Sequence, residues 1–318
     1  MKLLEQASVL ARSGGAAEAV RFIENAASAG DPEGNFLVAH WLLYGSDRPR
    51  DTKAAYRHLQ LSAQKGNVQA GRLLAHLTGN GTGCDADRDK ALAMLRDVEA
   101  SDPVAAAQLA LLPDMMSDAD ARSADREQLS SDPHVEIIRN LLLPAECAFL
   151  MSRAEPLLKP SLVDDPVTGR GKPDPIRTSH GAAFVPHEED LAVQAINRRI
   201  AQASNTAVHH AEALYVMRYV PGQEYKPHLD ALPGLNNQRE WTAIAYLNEG
   251  FEGGATIFPE LGLSVRPGVG DLLVFRNSDG DGDPDLRMRH AGEPVTSGEK
   301  WIATRWIRHG PHDPYDRG

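Results

Sequence analysis

The sequence predicts an α+β multidomain chain: an α-solenoid of helix pairs, then a double-sheet β-domain of jelly-roll type with flanking helices. Three observations predict it. The first hundred residues repeat with a period of about 36, a length typical of stacked helix pairs. The period then lapses in a stretch rich in Asp, Ser and Pro. Beyond it come short strand-like runs separated by Gly and Pro. A length of 318 residues gives each part enough chain to bury its own core.

The repeat is legible in detail. Ala19, Ala55 and Ala91 fall 36 apart, and so do Ile23, Leu59 and Leu95; Gly30/Gly66, Gly45/Gly81 and Asp51/Asp87 keep the same offset. Alanines let helices approach closely, and the glycines stand where a helix must stop and the chain must turn. The segments Ala26-Ala27-Ser28-Ala29-Gly30-Asp31 and Ser62-Ala63-Gln64-Lys65-Gly66-Asn67, each followed by an Ala-rich helix, resemble Sel-one-like repeats, relatives of tetratricopeptide repeats. The resemblance covers roughly residues 5–112 and implies a solenoid used for protein contacts, over a domain set at 1–112. A helical cap that merely stabilises its neighbour is the other reading, since every solenoid buries its stacking faces and only some use the concave one.

Residues 113–133 read as a linker with room for one more helix. The second domain is set at 134–318. Val135–Ile138 opens it as a strand, and a helix starts at Pro144. Asp164–Ser179, with Pro166, Gly169, Gly171, Pro173 and Pro175, is a long polar loop of the kind that forms lids. Ala192–Ala203 is an amphipathic helix, and strands are expected at 214–219, 241–247, 255–258, 263–266, 271–275 and 300–307.

Composition excludes some functions. A 42% hydrophobic and 24% charged chain is that of a soluble globular protein. With 33 Lys+Arg against 44 Asp+Glu, the net charge of −11 argues against nucleic acid or an anionic membrane as the main partner. The N-terminal residues lack the apolar core of a signal peptide, and no stretch approaches a membrane span. The two cysteines, Cys84 and Cys147, fit a reducing compartment, so a cytoplasmic location is expected.

Chemistry concentrates around His228-Leu229-Asp230. On an extended strand, side chains two apart share a face, so the imidazole and the carboxylate can converge on one metal ion. His290 is the best candidate for a third ligand, and two histidines with one carboxylate on an octahedral face match non-haem Fe(II) oxygenases. On a strand over 300–306, Lys300, Ile302, Thr304 and Trp306 share one face. The Lys300 ammonium suits a dicarboxylate, and the hydroxyls of Tyr219 and Tyr246 can reach the same anion. Asp279-Gly280-Asp281-Gly282-Asp283-Pro284-Asp285 imitates a calcium loop, but its twelfth position is His290 instead of the closing Glu. It reads as an acidic loop over the mouth of the site.

From about Val135 to Ile307 the chain resembles the prolyl 4-hydroxylase group of Fe(II)/2-oxoglutarate dioxygenases. The likeness rests on Arg177-Thr178-Ser179, Arg218-Tyr219, Gly222-Gln223-Glu224-Tyr225, Pro227-His228-Leu229-Asp230, Gly253-Gly254-Ala255-Thr256-Ile257-Phe258-Pro259, Arg289-His290-Ala291-Gly292-Glu293-Pro294-Val295 and Gly298-Glu299-Lys300-Trp301. It implies a double-stranded β-helix, cupin-like, in which His228, Asp230 and His290 hold Fe(II) and Lys300 grips the distal carboxylate of 2-oxoglutarate. Tyr219, Tyr246 and Thr304 sit with that cosubstrate, Trp306 packs nearer the metal, and Arg177 lies near the substrate channel. It further implies O2 as oxidant, succinate and CO2 as products, ascorbate (vitamin C) as reductant and a prolyl residue in a peptide or protein as substrate, recruited in part by the helical repeats. Two other readings stand beside it: hydroxylation of a free amino acid or other small molecule, and a non-catalytic interaction scaffold.

Overall fold

The structure, a computed structural model, describes residues 3–12, 14–45, 48–115, 125–164, 171, 172, 175–231, 234, 236–279, 282–313 and 315. The chain divides into two compact units, Met1–Asp114 with Pro186–Gln194, and Met115–Val185 with Ala195–Gly318. Among the described residues no helix is long and apolar enough to cross a membrane.

The first unit is a succession of helices, each packed on the next as far as α6: α1 (Leu3–Arg12), α2 (Ala16–Ser28), α3 (Pro32–Tyr44), α4 (Thr52–Gln64), α5 (Val68–Asn80), α6 (Arg88–Val98) and α7 (Pro103–Met115). The repeat period reappears as capping. Asp31, Asp51, Asn67 and Asp87 each accept a hydrogen bond from a backbone N–H three residues on, at 2.7, 2.8, 3.0 and 2.9 Å, which satisfies one orphan donor at the start of α3, α4, α5 and α6. Gly45 and Gly81 end α3 and α5 in the left-handed conformation. The periodic Ala55, Leu59 and Ile23 are buried in two clusters, one across α3, α4 and α5 and the other across α1, α2 and α3. Helix pairs approach so closely that a Cβ on Gly34 of α3 would stand 2.7 Å from the Ala27 nitrogen of α2.

The boundary at 112 is short by one segment, because Pro186–Gln194 belongs to this unit. Asn80 Nδ2 donates to the Pro186 carbonyl at 2.8 Å, and Gln194 Nε2 donates to the His76 carbonyl at 2.9 Å.

The second unit carries β1 (Arg126–Ser131), β2 (His134–Ile138), α8 (Pro144–Ala154), β3 (Lys159–Pro160), β4 (Val163–Asp164), β5 (Gly171–Lys172), β6 (His180–Phe184), α9 (Leu191–Ala203) from Ala195 on, β7 (Leu214–Tyr219), β8 (Tyr225–His228) and β9 (Arg239–Tyr246). There follow β10 (Glu252–Gly253), β11 (Thr256–Phe258), β12 (Leu263–Val265), β13 (Leu272–Arg276), β14 (His290–Gly292), β15 (Val295–Ser297) and β16 (Lys300–Arg308). An eight-stranded sheet runs in the order β1-β2-β13-β9-β16-β7-β6-β3, and a four-stranded sheet in the order β12-β11-β14-β8. Every pairing is antiparallel. One core joins the sheets: Ile137, Met217, Ile244, Phe275 and Ile302 from the large one pack with Phe258 and Val265 from the small one, as two inner faces of a jelly roll do.

Two expectations need correction. The segment expected as a linker, 113–133, contains β1, which pairs with β2 along the sheet edge; residues 116–124 of it lie outside the described residues. Arg126-Glu127-Gln128-Leu129-Ser130-Ser131 has the polar make-up of an edge strand, without the alternation that reveals a half-buried one. The strand β6 has no counterpart among the expected strands. His180-Gly181-Ala182-Ala183-Phe184 has little intrinsic β preference and is held by pairing with β7. Of the expected lid over 164–179, residues 165–170, 173 and 174 lie outside the described residues, and its flanks pair as β4 and β5.

The close contact at Gly34 generates a test. Alanine there gains about 1 kcal/mol of helix propensity but meets rigid backbone, and overpacking of that kind costs about 1–3 kcal/mol. Gly34→Ala is therefore expected to lower stability by up to about 2 kcal/mol, as read by denaturant melting of the helical signal.

Candidate active site

The site begins with one pair of residues in register. His228 ends β8 and His290 begins β14, and the two are direct partners across the antiparallel ladder, so both imidazoles leave the small sheet together, ring centres 4.3 Å apart. The third member arrives differently from the period-two expectation. The strand stops at His228, and Asp230 stands in a bend two residues beyond. Its Oδ1 lies 3.6 Å from His228 Nε2 and its Oδ2 3.5 Å from His290 Nε2. Among the described residues this is the group whose donor atoms could hold a metal ion, all within 4.8 Å of one another.

The donors fit ferrous iron. Ligand bonds of about 2.1 Å at right angles place neighbouring donors about 3 Å apart, against 3.6 and 3.5 Å from the Asp230 oxygens to the two Nε2 atoms. The Nδ1–H of His228 donates to the Lys226 carbonyl at 2.8 Å, and that of His290 to the Met288 carbonyl at 3.0 Å. Both tautomers thus leave the Nε2 lone pair facing Asp230. Burial pushes the His290 pKa down to about 4, helped by the charge of His228 and opposed by Asp230, so this imidazole is neutral at pH 7, as a ligand must be. For Asp230 burial works the other way, yet in the acid range, where the imidazoles are protonated, attraction to His290 and His228 prevails and holds the carboxyl well below its usual range. Thr242 donates to Asp230 Oδ2 at 2.7 Å.

Lys300 lies on the large sheet, in register with Tyr219 of β7. It is only 3% exposed, and its Nζ donates to the Gly254 carbonyl at 2.7 Å. Burial draws its pKa down to about 8, with the charge of Arg266 adding and that of Glu293 opposing. Its Nζ is 5.6 and 5.4 Å from the ring centres of Tyr219 and Tyr246. Lys300, Ile302, Thr304 and Trp306 line one cavity with Tyr219 and the three metal-ligand candidates. Thr304 Oγ1 is buried with no hydrogen-bond partner among the described residues. Tyr246 is fully buried, and its hydroxyl is bound to Thr256 Oγ1 at 2.6 Å; Thr256 lines the cavity and Tyr246 does not.

Arg177 is buried, not a loop charge in water. Its guanidinium lies 4.9, 5.0 and 5.8 Å from the rings of Tyr215, Tyr225 and Trp306, and Nη2 donates to Met217 Sδ at 2.7 Å. Tyr225 itself stacks on His228, ring centres 3.5 Å apart. A regular strand puts residues three apart on opposite faces. Between its two register pairs, β8 spends three residues against two of β14, and this bulge turns both rings to one side. Nothing in the sequence marks a bulge, so nothing there points to Tyr225. Of the acidic loop, residues 280 and 281 lie outside the described residues; Asp285 is engaged by Arg287 at 2.7 Å.

One cavity therefore brings together two histidines of the small sheet, a carboxylate from the bend beyond it and a buried ammonium of the large sheet. Residues 214–308 match the family described as the 2OG-Fe(II) oxygenase superfamily. Prolyl 4-hydroxylase 1 of Arabidopsis thaliana is 38% identical over 202 residues, which span 57% of this chain and 71% of that protein. The chain belongs to the prolyl 4-hydroxylase family. Membership implies Fe(II) and 2-oxoglutarate. Among solved structures, the viral collagen prolyl hydroxylase of Paramecium Bursaria Chlorella virus-1 in its 2OG complex is similar at 31% identity and a TM-score of 0.44, over 55% of this chain and 95% of that one. A Sel1 repeat protein from Oxalobacter formigenes is similar at 29% identity and a TM-score of 0.29, over 30% of this chain and 28% of that one.

The depressed pKa of Lys300 sets a pH dependence. A dicarboxylate needs the ammonium form, which the free site loses as pH rises through about 8, so 2-oxoglutarate binding takes up a proton above that pH. Its apparent affinity is expected to fall by about tenfold per pH unit from about pH 8 to 10, measured by titration at fixed Fe(II). Lys300→Ala is expected to flatten that slope and to raise the 2-oxoglutarate KM on the order of 10²-fold, in line with about 2–5 kcal/mol for truncating one partner of a buried charge pair.

Proposed function

We propose that this chain is an Fe(II)- and 2-oxoglutarate-dependent dioxygenase that hydroxylates a prolyl residue of a peptide or protein, releasing succinate and CO2. The observation that carries the reading is the cluster of His228, Asp230 and His290 across one cavity from the buried Lys300. His228 and His290 would hold iron through Nε2, and Asp230 through its carboxylate. When bound, Fe(II) with 2-oxoglutarate and O2 supplies the oxidative decarboxylation and the oxidant that replaces C–H by C–OH.

The protein's own part is placement. Lys300 receives the far carboxylate of the diacid with one charge-assisted bond. Ile244 and Ile302, which also line the cavity, keep bulk water from the reacting atoms. Arg177, held among three aromatic rings, would serve the substrate side of the site as a cation near the bound peptide. The Nδ1–H bonds of both histidines keep their rings oriented through the cycle. Ascorbate would serve as the reductant that keeps the metal ferrous, and the repeats would recruit a protein substrate. The two cysteines, both free, favour a reducing, cytoplasmic setting.

Purified protein with Fe(II), 2-oxoglutarate and proline-rich peptides is expected to release one succinate per hydroxylated peptide, detected as a gain of about 16 Da. His228→Ala is expected to abolish both. Turnover of free proline without turnover of peptides would transfer the reading to a small-molecule hydroxylase. Recruitment by the repeats predicts a KM at least tenfold lower for a protein substrate than for a short peptide with the same prolyl sequence; equal KM values would remove the repeats from that role.

A further inference from the structure

We propose that Thr242 and Asn277 are positioning residues that together aim two of the three metal ligands, a proposal that rests on reading His228, Asp230 and His290 as the iron site. The first route is through side chains. An ionised carboxylate only accepts hydrogen bonds, so the proton between Asp230 Oδ2 and Thr242 Oγ1, 2.7 Å apart, comes from the threonine. That leaves the Thr242 oxygen free to accept, and Asn277 Nδ2 donates to it at 2.8 Å. The polarity of the chain is thereby fixed from Asn277 to Thr242 to Asp230, and so is the face of the Asn277 amide. Thr242 is fully buried and Asn277 is 2% exposed, so water cannot stand in for either donor.

The second route is through the backbone. The Asn277 N–H donates to the Glu240 carbonyl at 2.7 Å, and the Asn277 carbonyl accepts from the Asp285 N–H at 2.9 Å. Asp285 in turn accepts from the Arg287 N–H at 3.0 Å, which caps the short helical turn Leu286–Met288. Met288 ends that turn, and its carbonyl takes the Nδ1–H of His290. One asparagine thus joins the hydrogen bond that orients Asp230 to the turn that orients His290. The acidic run from Asp279 to Asp285 gains a use here: its last carboxylate caps the turn and binds the Arg287 guanidinium at 2.7 Å.

A merely structural role would stabilise the fold and leave the metal indifferent to which donor faces Asp230. The two are separated by anaerobic Fe(II) titration of the full chain with 2-oxoglutarate present, read by the visible charge-transfer absorption of the chelated 2-oxo acid. Thr242→Ser keeps the hydroxyl, Thr242→Val keeps the shape without it, and Asn277→Asp keeps the shape while turning a donor into an acceptor. Thr242→Ser is expected to bind within threefold of the unsubstituted chain. Thr242→Val and Asn277→Asp are expected to bind about 10- to 100-fold more weakly, the range seen when a ligand loses its orienting partner, with a shifted absorption maximum. Binding within threefold by either of these two overturns the proposal, as does an equal loss in Thr242→Ser. Should Thr242→Val not fold, Asn277→Asp decides by the same threshold. His228→Ala serves as the control for the reading beneath: if the unsubstituted chain binds no Fe(II), or His228→Ala binds it fully, the ligand set itself fails and the proposal falls with it.

Discussion

The pairing of β8 with β14 is the constraint on which the rest of the second unit depends. It sets His228 opposite His290 by backbone hydrogen bonds alone, before any side chain has been ordered. Two imidazoles held this way lose little further freedom when they take a common ion, which is how a rigid sheet raises the affinity of a site. The carboxylate cannot come from the same ladder without crowding it. Asp230 comes instead from the bend just past the strand, where the chain is free to turn its side chain back between the rings. A buried carboxylate costs several kcal/mol in desolvation unless it is paired and hydrogen-bonded. Here the imidazoles flank it and Thr242 donates to it.

The large sheet supplies the opposite charge. Face-to-face sheets lie about 10 Å apart, a gap that a five-carbon diacid can bridge with one end on a metal and the other on an ammonium. Lys300 is placed for this by a strand whose every residue is buried. The same burial depresses its pKa, and its Nζ rests on the Gly254 carbonyl. Its aromatic neighbours differ in availability: Tyr219 lines the cavity, while the Tyr246 hydroxyl is bound to Thr256.

What could be read from the sequence follows the range of the interactions. The solenoid is made of contacts between neighbouring helices, so Ala19, Ala55 and Ala91 announce it by their spacing. Strands with aliphatic runs, such as Leu214–Tyr219 and Lys300–Arg308, also declare themselves. His180–Phe184 and Arg126–Ser131 do not, because pairing partners elsewhere in the chain make them strands. At the site, the charged and metal-binding types are visible because few other roles use them in that order. Thr242 and Asn277 are not, since neutral polar residues acquire meaning only when β9 brings the first against Asp230 and the turn after β13 brings the second against Thr242. Tyr225 needs a bulge, and Arg177, though named by its motif, shows its burial only through its three rings. Pro186–Gln194 joins the first unit from far beyond its end at Asp114, and no periodicity could have placed it there.

The capped helices of the first unit bear on how such a chain can vary. Helices α3, α4, α5 and α6 each open on a side-chain N-cap, and α3 and α5 each end on a left-handed glycine, so lengthening or shortening by one such helix pair leaves the neighbouring helices with caps of their own. The catalytic sheet has no such freedom. β2 pairs with β13, and β7 with β16, and a single inserted residue in any of them would turn a row of inward side chains outward. Diversification in this architecture is therefore expected to run through repeat number and repeat surface, with the oxygenase sheet inherited intact.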